Sequence, residues 1–482
     1  MKSRLKIKIR LNLRQRLLLL LLIAVTAFKL VPGMGMFYTR SIYPVVGTVL
    51  SHISGLVPFA LGDVFIAGSI AWVIGYPVYA IGYKKTETRR ALGHVGEYLL
   101  WVYVWFYAAW GLNYSQPNIY RRMHMRPVEV DKEAFRQFAY SYADSLNAAF
   151  DRMVTAKDGK AKAHAALELL LKRCDKQQAK TEAAIEKGYE QMGQNARDWG
   201  INTPFNHNPK VKTMVFSRLS SMAGVTGSMG PFFCEFTLNA DLKPHAYPAT
   251  YAHEMAHLLG ISNEGEANFY SYVVCTTSKD EATRFSGYYH IFFHVIINVR
   301  ELLGEEEFER FVSGLRPEIM ALARNDREYG LALRSPIIDK TQTFFYNLYL
   351  KGNNVEEGLK SYSAVIGMIM AWNKTMKGKL KRENLKGKLK KGKLKKGKLK
   401  SKKKNRKKNR KKQLSLKRAN IRNSRSVLPM SAFSRTIAFK PKSVIRSGLN
   451  PNRSLGRFYL FFITACSLLV FISCLLLVFN SQ

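Results

Sequence analysis

"YAHEMAHLLGISNEGEANFYSY" runs from Tyr251 to Tyr272, and its reading decides what the rest of the chain is built around. His253 and His257 lie four residues apart, with Glu254 directly after the first. On a helix the two imidazoles project from one face, about 40° apart. That spacing lets both bind one zinc ion. Glu254 is then too far round to be a ligand, yet close enough to hold a metal-bound water. This is the H-E-x-x-H pattern, in which the glutamate serves as general base. A catalytic zinc takes three protein ligands and keeps one position open, so a third ligand must come from nearby.

The candidates follow Gly260, which ends the motif helix and lets the chain return through a left-handed turn. Six residues after His257, where one zinc-peptidase pattern has its third histidine, stands Asn263, a poor zinc ligand. In "EGEAN", Glu264 fits as the ligand, with Asn268 one turn on to brace the site. Glu266 is the alternative ligand; on a helix it points about 160° from the Asn268 side and ranks second. The competing reading is an amphipathic helix with solvated His and Glu. The strand-like segment before the motif and the E-x-x-A-N after it weigh against that reading.

The charge is unevenly placed. The 482 residues carry a formal net charge of +42, but residues 377–418 alone hold 24 Lys/Arg against one Glu, and residues 1–16 hold seven against none. Residues 114–376 are close to neutral. The basic pI belongs to the ends, and a nucleic-acid-binding core gains nothing from it. The Lys/Arg-rich segment 377–457, with its "GKLKK" repeats, cannot fold alone because like charges repel and little apolar surface is available. Any nucleic-acid contact it makes is non-specific. The five cysteines, Cys174, Cys234, Cys275, Cys466 and Cys474, fit no metal or redox spacing, and we read no disulfide framework.

Apolar runs at about 17–37, 55–83 and 91–112 predict three transmembrane helices in a membrane region covering residues 1–113, and 458–479 predicts a fourth at the C-terminal end. The basic N-terminus, the loop 33–54 with Arg40 as its one basic residue, and the basic "KKTETRR" at 84–90 set the orientation. By the positive-inside rule, everything after Leu112 lies outside the cell membrane, in the periplasm of a bacterium. The Lys-rich run then starts on the outer side, against that rule.

Between the membrane segments, residues 114–376 read as one domain. Helical periodicity marks 131–155, 161–195, 285–324 and 355–374. "VKTMVFS" and "PFFCEFTLN" read as short strands around a Gly-rich connection. "PFFCEFTLN" is the candidate edge strand for an extended peptide. Tyr288, Tyr289, His290, His294 and Tyr362 are candidate oxyanion donors.

Together with "FSRLSSMAGVTGSMGPFFCEFTLNADL" and "YNLYLKGNNVEEGLKSYSAVIGMI", the opening stretch resembles the DUF3810 family of bacterial membrane proteins, assigned to the zincin-like peptidases. The resemblance covers roughly residues 15–374. It implies a mostly helical α+β zincin-like domain with a small sheet, carried on a multi-pass α-helical membrane anchor. It also favours Glu264 as the third ligand. The expected activity is a membrane-anchored zinc metallopeptidase: His253, His257 and Glu264 hold Zn2+, Glu254 activates water, and the partners are a peptide or protein substrate and the lipid bilayer. The alternatives are a catalytically inactive zincin-fold envelope scaffold and a nucleic-acid binder acting through its tail.

Overall fold

The computed structural model describes residues 11–128, 131–156, 159–160, 178–195, 199–204, 211–338 and 364–376, with a few positions between 168 and 174. The Lys/Arg-rich segment, the expected span 458–479, Tyr362, Cys466 and Cys474 lie outside the described residues. So do most of residues 161–177 in the expected helix 161–195 and the first part of 355–374. The described residues up to Trp372 belong to one compact unit.

Most of this unit is helical. Lys132–Val154, Gln178–Gln194, Tyr247–Leu258, Glu264–Thr276, Glu281–His290 and Pro317–Leu333 form its middle. Residues expected to be helical over 285–324 are in fact split into several shorter helices, with Gly304 at positive φ at one break. The one sheet that bears on the site has three strands. Glu235–Leu238 is central, paired antiparallel with Gly227–Gly230 and parallel with Lys212–Thr213. The expected edge strand therefore needs correcting. In "PFFCEFTLN" the strand covers Glu235–Leu238 only, is buried throughout, and is bonded on both sides. Residues 231–234 form the turn before it. Phe232 and Phe233 pack on Phe65, and Trp105 Nε1 donates to the Phe232 carbonyl at 3.1 Å. The glycine-rich Gly227–Gly230 is an edge strand, its residues alternately buried and half-buried.

The N-terminal part also departs from expectation. Leu13–Leu30 ends at extended Val31 and left-handed Gly33, and the chain turns by 107° into helical Met34–Gly55. The region 33–54, expected as an outer loop, is a helix. Leu61–Tyr83, 23 residues, is long and apolar enough to cross a membrane, and the bent pair is a second such unit if it acts as one. Thr88–Ala109 covers the third expected span, but among the described residues it does not join these; Arg89, Arg90, His94 and Glu97 interrupt its apolar run.

These helices are fastened to the sheet by buried polar groups. Lys212 Nζ donates to Glu235 Oε2 at 2.7 Å and to the Ser54 carbonyl at 2.7 Å. Glu235 Oε1 accepts from Gly62 N–H at 2.6 Å, which places a carboxylate at the start of the apolar helix Leu61–Pro77, where unpaired amides and the helix dipole favour negative charge.

The motif helix Tyr247–Leu258 runs through the centre. Pro248 stands in its first turn, where a missing N–H costs nothing. Every residue from Pro248 to Leu258 is buried, so the helix is wrapped on all sides rather than amphipathic. Tyr247 and Tyr251 donate to Glu182 and Glu186 on Gln178–Gln194, at 2.6 and 2.8 Å. Its C-terminal end shows how the sequence solves a recurring problem, that the last carbonyls of a helix have no partner within it. Trp110 Nε1 donates to the His257 carbonyl at 2.9 Å, Tyr43 Oη to that of Leu258, Asn202 Nδ2 to that of Leu259 at 3.2 Å, and Gln116 Nε2 to that of Gly260. Three of these four donors come from residues 43–116.

Candidate metal centre

Gly260 has φ +94, a region open to glycine at no steric cost. Immediately after this turn, Asn263 caps the next helix, its Oδ1 accepting from Glu266 N–H at 3.0 Å. The two devices together reverse the chain and bring the first turn of Glu264–Thr276 against the last turns of the motif helix.

Three side chains then converge. His253 Nε2 lies 3.0 Å from His257 Nε2, and Glu264 Oε2 lies 3.1 Å from the first and 3.4 Å from the second. The spacing predicted from the sequence thus brings His253, His257 and Glu264 to a common point. The two ring nitrogens on the far side are occupied. His253 Nδ1–H donates to Asn268 Oδ1 at 2.8 Å, and His257 Nδ1–H donates to the Ile261 carbonyl at 2.7 Å. When both rings are neutral, each turns an Nε2 lone pair toward the same point as a carboxylate oxygen. Three lone-pair donors so close repel one another unless a cation or a proton lies among them. Their separations match the roughly 3.3 Å between ligands about 2.0–2.1 Å from one tetrahedral ion, so the donor set fits zinc.

Electrostatics at the cluster has the same origin. Burial alone would lower the pKa of His257, but the Glu264 carboxylate beside it outweighs burial and pushes it up to about 9. For Glu264 burial works upward, and the two histidines overcome it and hold its carboxyl well below the usual carboxylate range. Glu264 also remains partly exposed while both histidines are buried, so the cluster opens on the glutamate's side.

Glu254 is 1 % exposed and outside the ligand trio. Its carboxylate lies against the edge strand. A Cβ placed on Gly227 would sit 2.5 Å from Glu254 Oε1, so only a glycine leaves room there. The solvated His and Glu of the competing reading are absent: His253 is 8 % and His257 3 % exposed.

The remaining sequence candidates separate cleanly. Asn268 is where it was expected, and it also accepts from His290 Nε2–H at 2.8 Å. Burial, with His253 and His294 nearby, lowers the His290 pKa to about 3, so this ring is neutral. Glu266, the alternative ligand, is turned away from the cluster. It accepts from Ile119 N–H at 2.7 Å and pairs with buried Arg122. Tyr289 donates to Asp326 at 2.6 Å rather than facing the trio, and Tyr288 packs between Tyr142 and Tyr272. Sequence reading missed Gly227, whose signal was the glycine-rich "VTGSMG", and the capping donors Tyr43 and Trp110, hidden in apolar runs. Among the described residues, Cys234 and Cys275 are buried free thiols.

A family model described as "Protein of unknown function (DUF3810)" matches residues 38–370. The chain belongs to this family. The DUF3810 match begins after the N-terminal bend, takes in the sheet and the His253, His257 and Glu264 cluster, and ends before the basic segment. No curated protein and no solved structure matches the chain.

Proposed function

We propose that this chain is a zinc-dependent metallopeptidase held at the bacterial cell membrane by its N-terminal apolar helices, with its active site on the periplasmic side. The observation that carries the reading is the convergence of His253 Nε2, His257 Nε2 and Glu264 Oε2 within 3.4 Å, beside a buried general base. His253, His257 and Glu264 would hold the ion. When bound, it would lower the pKa of a water and polarise a peptide carbonyl.

The chain's own groups do the rest. Asn268 and the Ile261 carbonyl hold the Nδ1 sides of the two histidines, so that both Nε2 atoms face the common point. Glu254, held against Gly227, accepts a proton from the attacking water and returns it to the leaving amine. The edge strand Gly227–Gly230 offers main-chain partners to an extended peptide and thereby sets which bond faces Glu254. The 23-residue Leu61–Tyr83 and the bent helix pair before it support the membrane attachment.

The test uses the full-length chain in detergent. Bound zinc is measured by elemental analysis, and hydrolysis of a peptide library is compared between wild type and Glu254→Gln. About one zinc per chain in both proteins, with cleavage in the wild type alone, supports the reading. A wild type that binds no zinc sinks it.

A further inference from the structure

The helical stretch Met34–Gly55 carries an apolar face that the rest of the chain leaves open. Val45, Val49, Ile53, Leu56 and Phe59 are 43–74 % exposed. The first four recur at intervals of four, four and three residues, which keeps them on one side of the helix. Tyr43, Leu50, Ser51 and Ser54 stand on the other side and are at most 5 % exposed. That side is fastened to the domain: Tyr43 Oη donates to the Leu258 carbonyl, and Ser51 Oγ to that of Cys234 at 2.6 Å. No Lys, Arg, Asp or Glu stands between Arg40 and Asp63. Those two flanking charges turn toward the domain as well. Arg40 Nη1 donates to the Ile201 carbonyl at 2.8 Å, and Asp63 Oδ2 accepts from Val215 N–H at 2.9 Å.

What covers this face follows from the chain on either side. On the membrane attachment proposed above, Leu13–Leu30 leads outward and Leu61–Tyr83 leads back, so Met34–Gly55 starts and ends at the same outer boundary. It turns by 107° from Leu13–Leu30, which lays it near the membrane plane when that first helix crosses upright. One ion pair holds its far end level with the next apolar helix. Lys212 Nζ donates to the Ser54 carbonyl and to Glu235, whose other oxygen accepts from Gly62 N–H. Phe59 and exposed Val64 then carry the open face on into Leu61–Tyr83. A helix that is uncharged on its free side and bracketed by two apolar helices at one boundary fits lipid.

We propose that Met34–Gly55 lies in the outer surface of the bilayer with Val45, Val49 and Ile53 among the lipid chains, and that the candidate metal centre, seated on this helix, takes membrane-tethered polypeptides and cuts them close to their anchors. The placement rests on the membrane attachment, and the substrate class on the peptidase reading. Height follows from the Tyr43–Leu258 contact, where the motif helix ends on Met34–Gly55. A helix with its side chains is about 10–12 Å across, so His257 stands roughly that far above the lipid. An extended chain covers about 3.3 Å per residue, so a tethered substrate reaches the site with about 3–5 residues beyond its own span.

The experiment has two readouts on the full-length chain. The first measures depth in lipid nanodiscs. In a background of Cys466→Ser and Cys474→Ser, Val49→Cys and the exposed control Glu328→Cys each carry a nitroxide. Relaxation by oxygen is compared with relaxation by a water-soluble nickel chelate, after subtraction of the background protein. Val49→Cys is expected to favour oxygen, at a depth of about 5–10 Å, and Glu328→Cys to favour nickel. Nickel ahead of oxygen at residue 49 means water, low values for both mean a protein neighbour such as a second copy, and a depth at the bilayer centre means a re-entrant loop. Each of these overturns the placement. The second readout uses zinc-loaded chain in liposomes with a mixed-sequence peptide tethered to a transmembrane helix, either directly or over about ten prolines, which add roughly 31 Å. Cuts in the direct form are expected within about five residues of the anchor, and the proline spacer should reduce cleavage by about tenfold or more. Cuts spread evenly along the peptide, or cleavage undiminished by the spacer, overturn the surface-level site. Zinc bound with neither form cleaved overturns the peptidase reading and the substrate class with it, and the nitroxide depths show whether the placement fails too.

Discussion

Asn268 Oδ1 accepts two protons at once, from His253 Nδ1 and from His290 Nε2, each at 2.8 Å. One amide oxygen thus orients a metal-ligand candidate and ties it to the helix Glu281–His290. Removing such a partner lowers metal affinity by about 10–100-fold. Asn268→Ala is expected to weaken zinc binding by that factor, read by competition with a chelator of known affinity. Asn268→Asp keeps an acceptor at the same place and should retain most of the affinity. Equal zinc affinity in Asn268→Ala and wild type would show that the hydrogen bond does not orient His253.

Glu264 and Glu266 are two residues apart and make opposite predictions. Glu264→Ala removes a ligand: zinc stoichiometry should fall toward zero while the metal-free protein stays folded. Glu266→Ala leaves Arg122 buried and unpaired, both side chains being at most 5 % exposed. Breaking a buried pair on one side costs about 3–5 kcal/mol. Thermal unfolding in detergent should therefore shift sharply downward for Glu266→Ala, with zinc per folded chain unchanged. The reverse assignment of effects would move the third ligand to Glu266.

A third expectation concerns the edge strand. Gly227→Ala places a methyl where Glu254 Oε1 now lies, so the carboxylate must move. Displacing a catalytic group by about 1 Å can cost on the order of 100-fold in rate. Zinc content should be preserved and peptide cleavage should fall by about that factor. Unchanged cleavage would mean that Glu254 has room the packing denies it.

The acid side of the stability profile should depend on Asp326. Burial raises its pKa, but His245, Tyr289 and Lys243 hydrogen-bond it and bring it below its ordinary 3.8. A carboxyl depressed on folding adds stability that is fully present above its unfolded value and is lost as pH falls through the folded one. The difference in unfolding temperature between wild type and Asp326→Asn should be constant from pH 7 to about 5 and shrink below about pH 4. A difference that grows toward acid would reverse the sign and refute the assignment.

The candidate metal centre was the most legible part of this sequence because its information is local. His253, Glu254 and His257 sit on one helix, Gly260 marks its end, and Glu264 and Asn268 follow within eleven residues of His257. Helical periodicity and one glycine turn suffice to bring them together. What was not legible depends on long-range pairing. Nothing in "PFFCEFTLN" says that its first four residues would turn among apolar helices while Glu235–Leu238 took the centre of the sheet. Its apolar character, read as an edge, reflects burial on both sides. The break at Val31–Gly33 was masked by an apolar run that composition alone extends to residue 37. Tyr43 lay in the expected loop 33–54 and Trp110 in an expected span, and their polar tips were assigned only by the carbonyls they meet.

On the proposed reading, those two aromatics tie the catalytic apparatus to its anchor. Shedding residues 1–113 would strip the donors from His257 and Leu258 and let the last turn fray, taking one imidazole with it. A secreted, freely diffusing version of this protein should therefore be inert, and any enzyme that trimmed its N-terminal helices would act as an off-switch.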